Sequence, residues 1–404
     1  MPAELLTDFN PSLVALAEMR SLVKDAPGIW RLHSAANWAG VGRCHYHSNH
    51  VPIIKTIDDE TLVKVNIGIG SQVELRIRYP PRPEVDSPII IFLKRGIPTA
   101  MQNGSCIKHL ALGANATAVE IDYRLSKHNG YPHPIHAVLA GYDWARANLA
   151  HSRGHSRELK MNTKPSKIGV CGELVGGSLA TMLALTECFY TPADLEPQGI
   201  SALAVGNAIL DWTALTPSDT TENDSQGGIF HTIGDFPKDA NDESFSGNGL
   251  CNIREAFFPK AESYFDPFAS PLLFFRTPTS EIPNRAVAST EDSLLNGGLE
   301  DQSTLVLPAK KRRSPRKYPP TSSNLLLPWT RVEVGKGCIL KDQAVDLIEM
   351  MRKSFRRLEV ERTANAKAAV RRDFELVERE GIGLWDEEHM LEIGGWFSET
   401  LRKP

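Results

Sequence analysis

The chain has 404 residues, of which 41% are hydrophobic and 23% charged, so it can bury a large core and is not intrinsically disordered. Its net charge of −4 provides no overall basic field to attract nucleic acid or an anionic membrane. Its apolar runs are too short to span a bilayer. Six cysteines without CxxC spacing and the lack of a secretory leader predict a cytoplasmic protein with free thiols.

Short apolar segments alternate with helical segments along most of the chain. Residues 73–79 alternate apolar and polar positions, which predicts a half-buried strand. Four later strands are predicted as nearly continuous apolar runs, typical of a parallel sheet, at 88–93, 117–122, 167–171 and 202–207. The alternation of strands and helices resumes with strands predicted at 330–334 and 374–378. Helices are predicted over 133–150, 176–189, 342–358 and 387–401. This alternation indicates a doubly wound α/β sheet.

Two polar regions interrupt the alternation. Residues 214–250 are rich in Thr, Asp, Asn, Ser and Gly, and residues 276–324 form a long polar insertion that we expect to be mobile. The insertion contains a basic run: Lys310, Lys311, Arg312, Arg313, Arg316 and Lys317. This run is either a solvated charge cluster or a nuclear-localisation signal, so a nuclear location remains an alternative to a cytoplasmic one.

Four motifs occur along the chain, in the order Asp122-Tyr123-Arg124-Leu125, CGELVGGSLA at 171–180, DPFASPL at 266–272 and Leu340-Lys341-Asp342-Gln343. In sequence and order they resemble motifs of the hormone-sensitive-lipase-like esterase branch of the α/β-hydrolase superfamily. The second motif resembles the nucleophile elbow, a sharp strand-to-helix turn that exposes a serine. Its exact form also resembles filamentous-fungal members of the superfamily.

The resemblance implies a mostly parallel sheet of about eight strands with helices on both faces. It also implies a cap over the carboxyl ends of the strands, where ligands bind in such sheets. The predicted divisions are an N-terminal cap region (1–65), the first half of the core (66–213), a mid-chain cap (214–263) and the second half of the core (264–404).

The residues that such esterases use for catalysis are absent from the matching positions. The serine position falls on Leu174, the acid position on Cys338 and the histidine position on Leu384. The glycine-rich loop that binds the oxyanion matches 93–96, where only Gly96 is a glycine. The resemblance therefore implies a site without the orthodox Ser-His-Asp triad. Its pocket floor and former oxyanion loop are predicted to comprise Lys94, Arg95, Gly96, Leu174 and Val175.

Four other residues are candidates to supply chemistry instead. Cys171 ends the elbow strand and is either a thiol nucleophile or a small core residue. Glu173 precedes the elbow apex and either supports the turn or acts as a general acid or base. Ser178 is either a displaced nucleophile or a packing hydroxyl at the start of the next helix. His389 either enters the site through a shifted loop or is a solvated residue near the start of the last helix.

We predict neither a cofactor nor a metal ion. The dense histidine cluster at 45–50 has no acidic or cysteine ligand at a recognisable spacing, so a polar pocket rim is the better interpretation. The leading hypothesis is an enzyme acting on a small ester, lactone or polyketide-like compound by a mechanism without the triad. The alternatives are a catalytically inactive protein that binds a small ligand and a scaffold that binds a protein partner.

Overall fold

The computed structural model describes most of the predicted core. The described residues are 55–57, 60–68, 71–82, 87–96, 105–123, 129–150, 165–191, 194–216, 247–278, 315–320, 323–363, 372–381 and 383–403. The histidine cluster at 45–50 and the basic residues at 310–313 lie outside them.

The described strands form one mixed sheet. They are β1 (Lys55–Ile57), β2 (Glu60–Gly68), β3 (Ser71–Arg78), β4 (Ile89–Leu93), β5 (Thr117–Asp122), β6 (Ile168–Glu173), β7 (Cys188–Thr191), β8 (Asp194–Gly206), β9 (Trp329–Gly335) and β10 (Phe374–Arg379). Nine of them follow the order β1-β2-β3-β5-β4-β6-β8-β9-β10, and β7 pairs with β8. Strands from β5 to β10 along this order are mutually parallel, while β1, β2, β3 and β7 pair antiparallel. The predicted mostly parallel α/β sheet is confirmed.

Helices cover both faces of the sheet. They are α1 (Ser105–Ala114), α2 (His133–Leu149), α3 (Leu174–Glu187), α4 (Gly247–Phe257), α5 (Lys341–Thr363) and α6 (Glu387–Arg402). The larger apolar cluster joins one face to α2, α3 and α5, and a second cluster joins the other face to α1 and α6. This two-sided cover explains why β4, with all five residues buried, reads as a continuous apolar run.

The structure adds elements that the apolar pattern did not predict. These are β1, β2, β7, α1 and α4. Helix α3 begins at Leu174, two residues before the predicted start at 176, and β8 begins at Asp194 rather than 202. Among the described residues, we find no helix with the length and apolar character that a membrane span requires.

The described ends of the predicted insertion 276–324 pack against the core. Arg276 is 1% exposed, and its guanidinium donates to the buried carboxylate of Asp211 over 2.8 Å. Tyr318 is also buried, and its hydroxyl donates to the carbonyl oxygen of Leu185 over 2.6 Å. Residues 279–314, the middle of the insertion, lie outside the described part of the chain.

Helices α1 and α6 pack closely at a glycine, which gives a test of this packing. A Cβ added to Gly394 would lie 2.8 Å from the Ala114 nitrogen, whereas a Cβ on the adjacent Gly395 would have no atom within 4 Å. We expect Gly394→Ala to lower the free energy of unfolding by about 1–3 kcal/mol because the helices must separate. Gly395→Ala should leave it unchanged or raise it by up to about 1 kcal/mol through helix propensity. Denaturant unfolding followed by circular dichroism measures both, and equal effects would contradict this packing.

Candidate functional site

The turn between β6 and α3 has the backbone geometry of a nucleophile elbow. Leu174, at its apex, has a φ of 51°, a left-handed conformation that a non-glycine residue rarely adopts. A Cβ added to Gly172 would lie 2.7 Å from the carbonyl oxygen of Leu93. A Cβ on Gly176 would overlap the carbonyl oxygens of Leu93 and Lys94. The two glycines therefore let the elbow backbone lie directly against the loop that follows β4.

The three positions that the sequence analysis predicts for a triad lie in apolar surroundings. Leu174 is fully buried, and Cys338 is 8% exposed. Both belong to the larger apolar cluster, and the half-buried Leu384 packs against the same cluster. Burial raises the pKa of the Cys338 thiol, so this thiol is held neutral. These three side chains form apolar surface instead of a nucleophile, an acid and a base.

A buried ion pair lies beside the elbow apex. The Nε atom of Arg95 donates to Oε2 of Glu173 over 2.7 Å, and both side chains are less than 5% exposed. Arg95 also donates from Nη2 to the carbonyl oxygen of Trp385 over 2.6 Å. The backbone N–H of Trp385 in turn donates to Oε1 of Glu173 over 2.8 Å. The elbow, the loop after β4 and the loop before α6 therefore meet in one hydrogen-bonded cluster.

Burial shifts the ionisation of Glu173. Loss of solvent raises its pKa from 4.5 to about 7, although Arg95 and the Trp385 N–H favour the ionised form. The negative charge of Glu333 acts in the same direction as burial. A carboxyl group that titrates near neutral pH has the property required of a general acid or base.

The indole of Trp385 connects this ion pair to a second charged cluster. Its Nε1–H donates to Oε2 of Glu333 over 2.9 Å, and Glu333 is fully buried within β9. Glu333 Oε1 accepts from Arg331 over 2.8 Å and from Arg379 over 3.1 Å. Both arginines also pair with Glu392 on α6, at 2.5 and 2.7 Å. The buried carboxylate is thus compensated by two cations, as a stable buried charge requires.

Residues within β5 and just after it also hold the loop that follows β4 in place. The hydroxyl of Tyr123, which follows β5, donates to the carbonyl oxygen of Lys94 over 2.5 Å. The ammonium of Lys94 pairs with the buried Glu120 at 2.7 Å. Gly96 has a φ of 77°, so the position that matches the family's oxyanion loop also needs a glycine here.

The structure places the candidate substitute groups in different surroundings. Cys171 is fully buried two residues before Glu173, and burial together with the Glu173 charge raises its thiol pKa well above the usual value. The buried Ser178 hydroxyl donates to the carbonyl oxygen of Ala269 over 3.1 Å. His389 lies on α6, where its backbone N–H and ring contact Asp386, the N-cap of that helix, at 2.9 and 2.6 Å. Only Glu173 among the four joins the cluster with Arg95 and Trp385.

The segment around 266–276 is tied to the core by two carboxylates, the half-buried Asp266 and the buried Asp211. Asp266 accepts from the hydroxyl of Tyr131 over 2.7 Å and from the N–H of Phe268 over 3.0 Å. Asp211 accepts from the N–H of Thr213 over 2.9 Å and pairs with Arg276. Within the part of the chain that the structure describes, no group of three or more His, Cys, Asp or Glu residues is arranged to hold a metal ion.

Comparison with known proteins agrees with this geometry. The sequence model of a family described as alpha/beta hydrolase fold matches residues 97–233. The chain is 27% identical over 156 residues to Esterase LipI of Mycobacterium tuberculosis (strain ATCC 25618 / H37Rv), a match that covers 34% of this chain and 45% of LipI. It is 26% identical over 117 residues to Carboxylesterase NlhH of Mycobacterium tuberculosis, covering 28% of this chain and 34% of NlhH. The matches span less than half the length of these relatives.

A solved structure shares the fold across most of the chain. Carboxyl esterase 2 from the mycorrhizal fungus Tuber melanosporum superposes with a TM-score of 0.50 at 14% sequence identity. The superposition covers 91% of this chain and 98% of that protein. The predicted fold is therefore confirmed in its overall architecture.

The raised pKa of Glu173 predicts a dependence of stability on pH. Between pH 4.5 and about 7 the unfolded chain releases this proton while the folded chain keeps it. The free energy of unfolding should therefore fall by up to roughly 3 kcal/mol as the pH rises through this window. Glu173→Gln should lack that decrease. Denaturant titrations at pH 5 and pH 8 measure it.

Glu255→Gln, which removes an exposed carboxylate on α4, is the matched control for this experiment. It should retain the wild-type difference in the free energy of unfolding between the two pH values. A Glu173→Gln protein with the same difference as the wild type would show that Glu173 does not titrate in this window.

Proposed function

We propose that this chain, whose fold is that of α/β hydrolases, acts on a small, largely apolar carbonyl compound without forming an acyl-enzyme. The proposed substrates are organic esters, lactones and polyketide-like metabolites, with a place in fungal secondary metabolism. Esterases among its relatives support the carbonyl class, and the form of segment 171–180 supports the fungal context. In such sheets ligands bind at the carboxyl ends of the strands, where Leu174 lies.

One observation carries the proposal: the elbow is intact, but Leu174 stands at its apex. A leucine has no atom that can attack a carbonyl carbon, and Cys338 and Leu384 supply neither an acid nor an imidazole base. An acyl-enzyme at this position is therefore excluded on chemical grounds. A pocket above the elbow would instead present an apolar floor to the ligand.

The proposed chemistry consists of positioning and proton transfer. Cyclisation, elimination and water addition each need a proton donor or acceptor and a held substrate, but no covalent intermediate. Glu173 is the candidate donor or acceptor because its pKa is raised to about 7 by burial and it adjoins the apex. The first backbone N–H groups of α3 supply a dipole that can polarise a carbonyl oxygen.

A second candidate function is binding of the same class of compound without turnover. It is favoured because both carboxylate oxygens of Glu173 already accept hydrogen bonds within the protein, from Arg95 and Trp385. Burial at 3% exposure also keeps this carboxylate away from solvent. A scaffold that binds a protein partner is the remaining alternative.

Hydrolysis of activated short-chain esters tests the excluded mechanism. We expect the purified protein to show no turnover above buffer and heat-inactivated blanks, because no nucleophile stands at the apex. Cys171→Ala, Ser178→Ala and His389→Ala are measured alongside it. Turnover that disappears in one of these variants would locate a substitute nucleophile or base and contradict the proposal.

Incubation with a panel of esters, lactones and polyketide-like lactones tests the proposed function directly. Binding is measured as a rise in unfolding temperature, and conversion is measured by mass spectrometry of the recovered compound. We expect one compound class both to stabilise the wild type and to be converted, with conversion lost in Glu173→Gln. Stabilisation without conversion would favour the binding function, and neither effect across the panel would contradict both.

A further inference from the structure

The segment Gly383–Asp386, between β10 and α6, is fixed mainly through one residue. Trp385 donates from its backbone N–H, accepts at its carbonyl oxygen and donates from its indole, to Glu173, Arg95 and Glu333 respectively. The indole also lies against Gly206, where an added Cβ would be 2.8 Å from Cε2 of Trp385. Three different elements therefore hold a single residue of this segment.

Two glycines with left-handed backbone lie at the start of the segment and just before it. Gly381 and Gly383 have φ values of 64° and 70°, which glycine adopts without strain. A Cβ added to Gly381 would meet no atom within 4 Å, so the chain has open space there. Gly383 itself packs against Gly335, and its carbonyl oxygen accepts a hydrogen bond from Asn207 over 3.1 Å.

The charged and titratable groups that interact with Glu173 are Arg95 after β4, Glu333 on β9, Cys171 on β6 and Cys106 on α1. Arg95 is its direct partner, and the negative charge of Glu333 on β9 raises its pKa. The thiol of Cys106 on α1 is affected by the charge of Glu173 and also by the charges of Arg95, Glu120 on β5 and Glu387 on α6. Lys94 faces Glu120 rather than Glu173. Arg95 is therefore the cation that holds Glu173.

We propose that Arg95, Glu173 and Trp385 form a latch that holds the Gly383–Asp386 segment against the elbow, and that the latch loosens as the pH rises from 5 to 8. In a working triad, side-chain hydrogen bonds couple the elbow to the loop bearing the histidine. Here the latch provides that coupling through the backbone of Trp385. Its opening releases the segment from the elbow and uncovers Glu173.

The direction of the pH effect follows from solvation. In the closed latch the carboxyl group is buried, and burial raises its pKa to about 7. In an open latch the group is hydrated, so its pKa returns toward the ordinary value of about 4.3. The closed state therefore binds the proton more tightly, and raising the pH shifts the equilibrium toward the open state. The shift levels off once the pH lies clearly above the raised pKa of about 7.

Amide hydrogen exchange of the peptide covering 383–390 tests the latch. In Arg95→Met at pH 7 we expect its protection factor to fall roughly tenfold or more, the effect of losing a hydrogen bond to a charged group. Arg95→Lys, which keeps the charge but not the forked donors, should show a smaller fall and serves where the methionine variant folds poorly. Arg276→Met, which removes another buried arginine ion pair, is the matched control. It should lower the protection factor of this peptide no more than its effect on the global free energy of unfolding requires.

The pH arm uses the wild type and Glu173→Gln. After correction for intrinsic exchange, wild-type protection of 383–390 should decrease between pH 5 and pH 8, and that decrease should disappear in Glu173→Gln. The latch is refuted if Arg95→Met and Arg276→Met affect this peptide equally. Protection that rises or stays constant with pH in the wild type would overturn the proposed direction. Either result leaves the proposed substrate class to be judged by the ligand panel alone.

Discussion

The close approach of two backbones at the elbow constrains everything around it. The carbonyl oxygens of Leu93 and Lys94 occupy the space where side chains of Gly172 and Gly176 would lie. To pass this point and still enter α3, the chain takes a left-handed conformation at Leu174. The same approach brings Arg95 beside Glu173, since each residue immediately adjoins the contact. The geometry that serves a nucleophile in related hydrolases therefore persists here as a packing requirement, and the ion pair depends on it.

The energetics explain how this elbow survives without a serine. A left-handed conformation costs a non-glycine residue about 1–2 kcal/mol. Full burial of a leucine side chain contributes about 1.5–3 kcal/mol, and Leu174 is fully buried in the larger apolar cluster. The burial of the Leu174 side chain thus offsets the strain of its backbone. A serine would bury less apolar surface at the same backbone cost, so leucine favours stability where serine favours catalysis.

Much of the fold was predictable because its signals are local. Strands buried on both faces give uninterrupted apolar runs such as Ile89–Leu93, and the sheet follows from their alternation with helices. The position of the elbow was also predictable, because its motif lies at the end of a predicted strand and the structure has the turn there. The cluster around Glu173 was not readable, because Arg95 and Trp385 lie 78 and 212 residues away from it in sequence. Glu333 does carry a sequence signal for part of this cluster. A carboxylate in the middle of a strand whose seven residues are all buried must have cationic partners.

A buried ion pair that holds a backbone segment differs in one respect from an apolar contact. Desolvation makes the pair costly, so its partners are strongly interdependent, and removing one leaves the other charged and buried. The Arg95–Glu173 pair is positioned where such interdependence affects three loops at once, because Trp385 accepts one hydrogen bond from Arg95 and donates one to Glu173. An apolar plug at the same place would fix these loops permanently. A titratable pair makes their attachment depend on a single proton, and that proton lies next to the apex where a substrate carbonyl would be held.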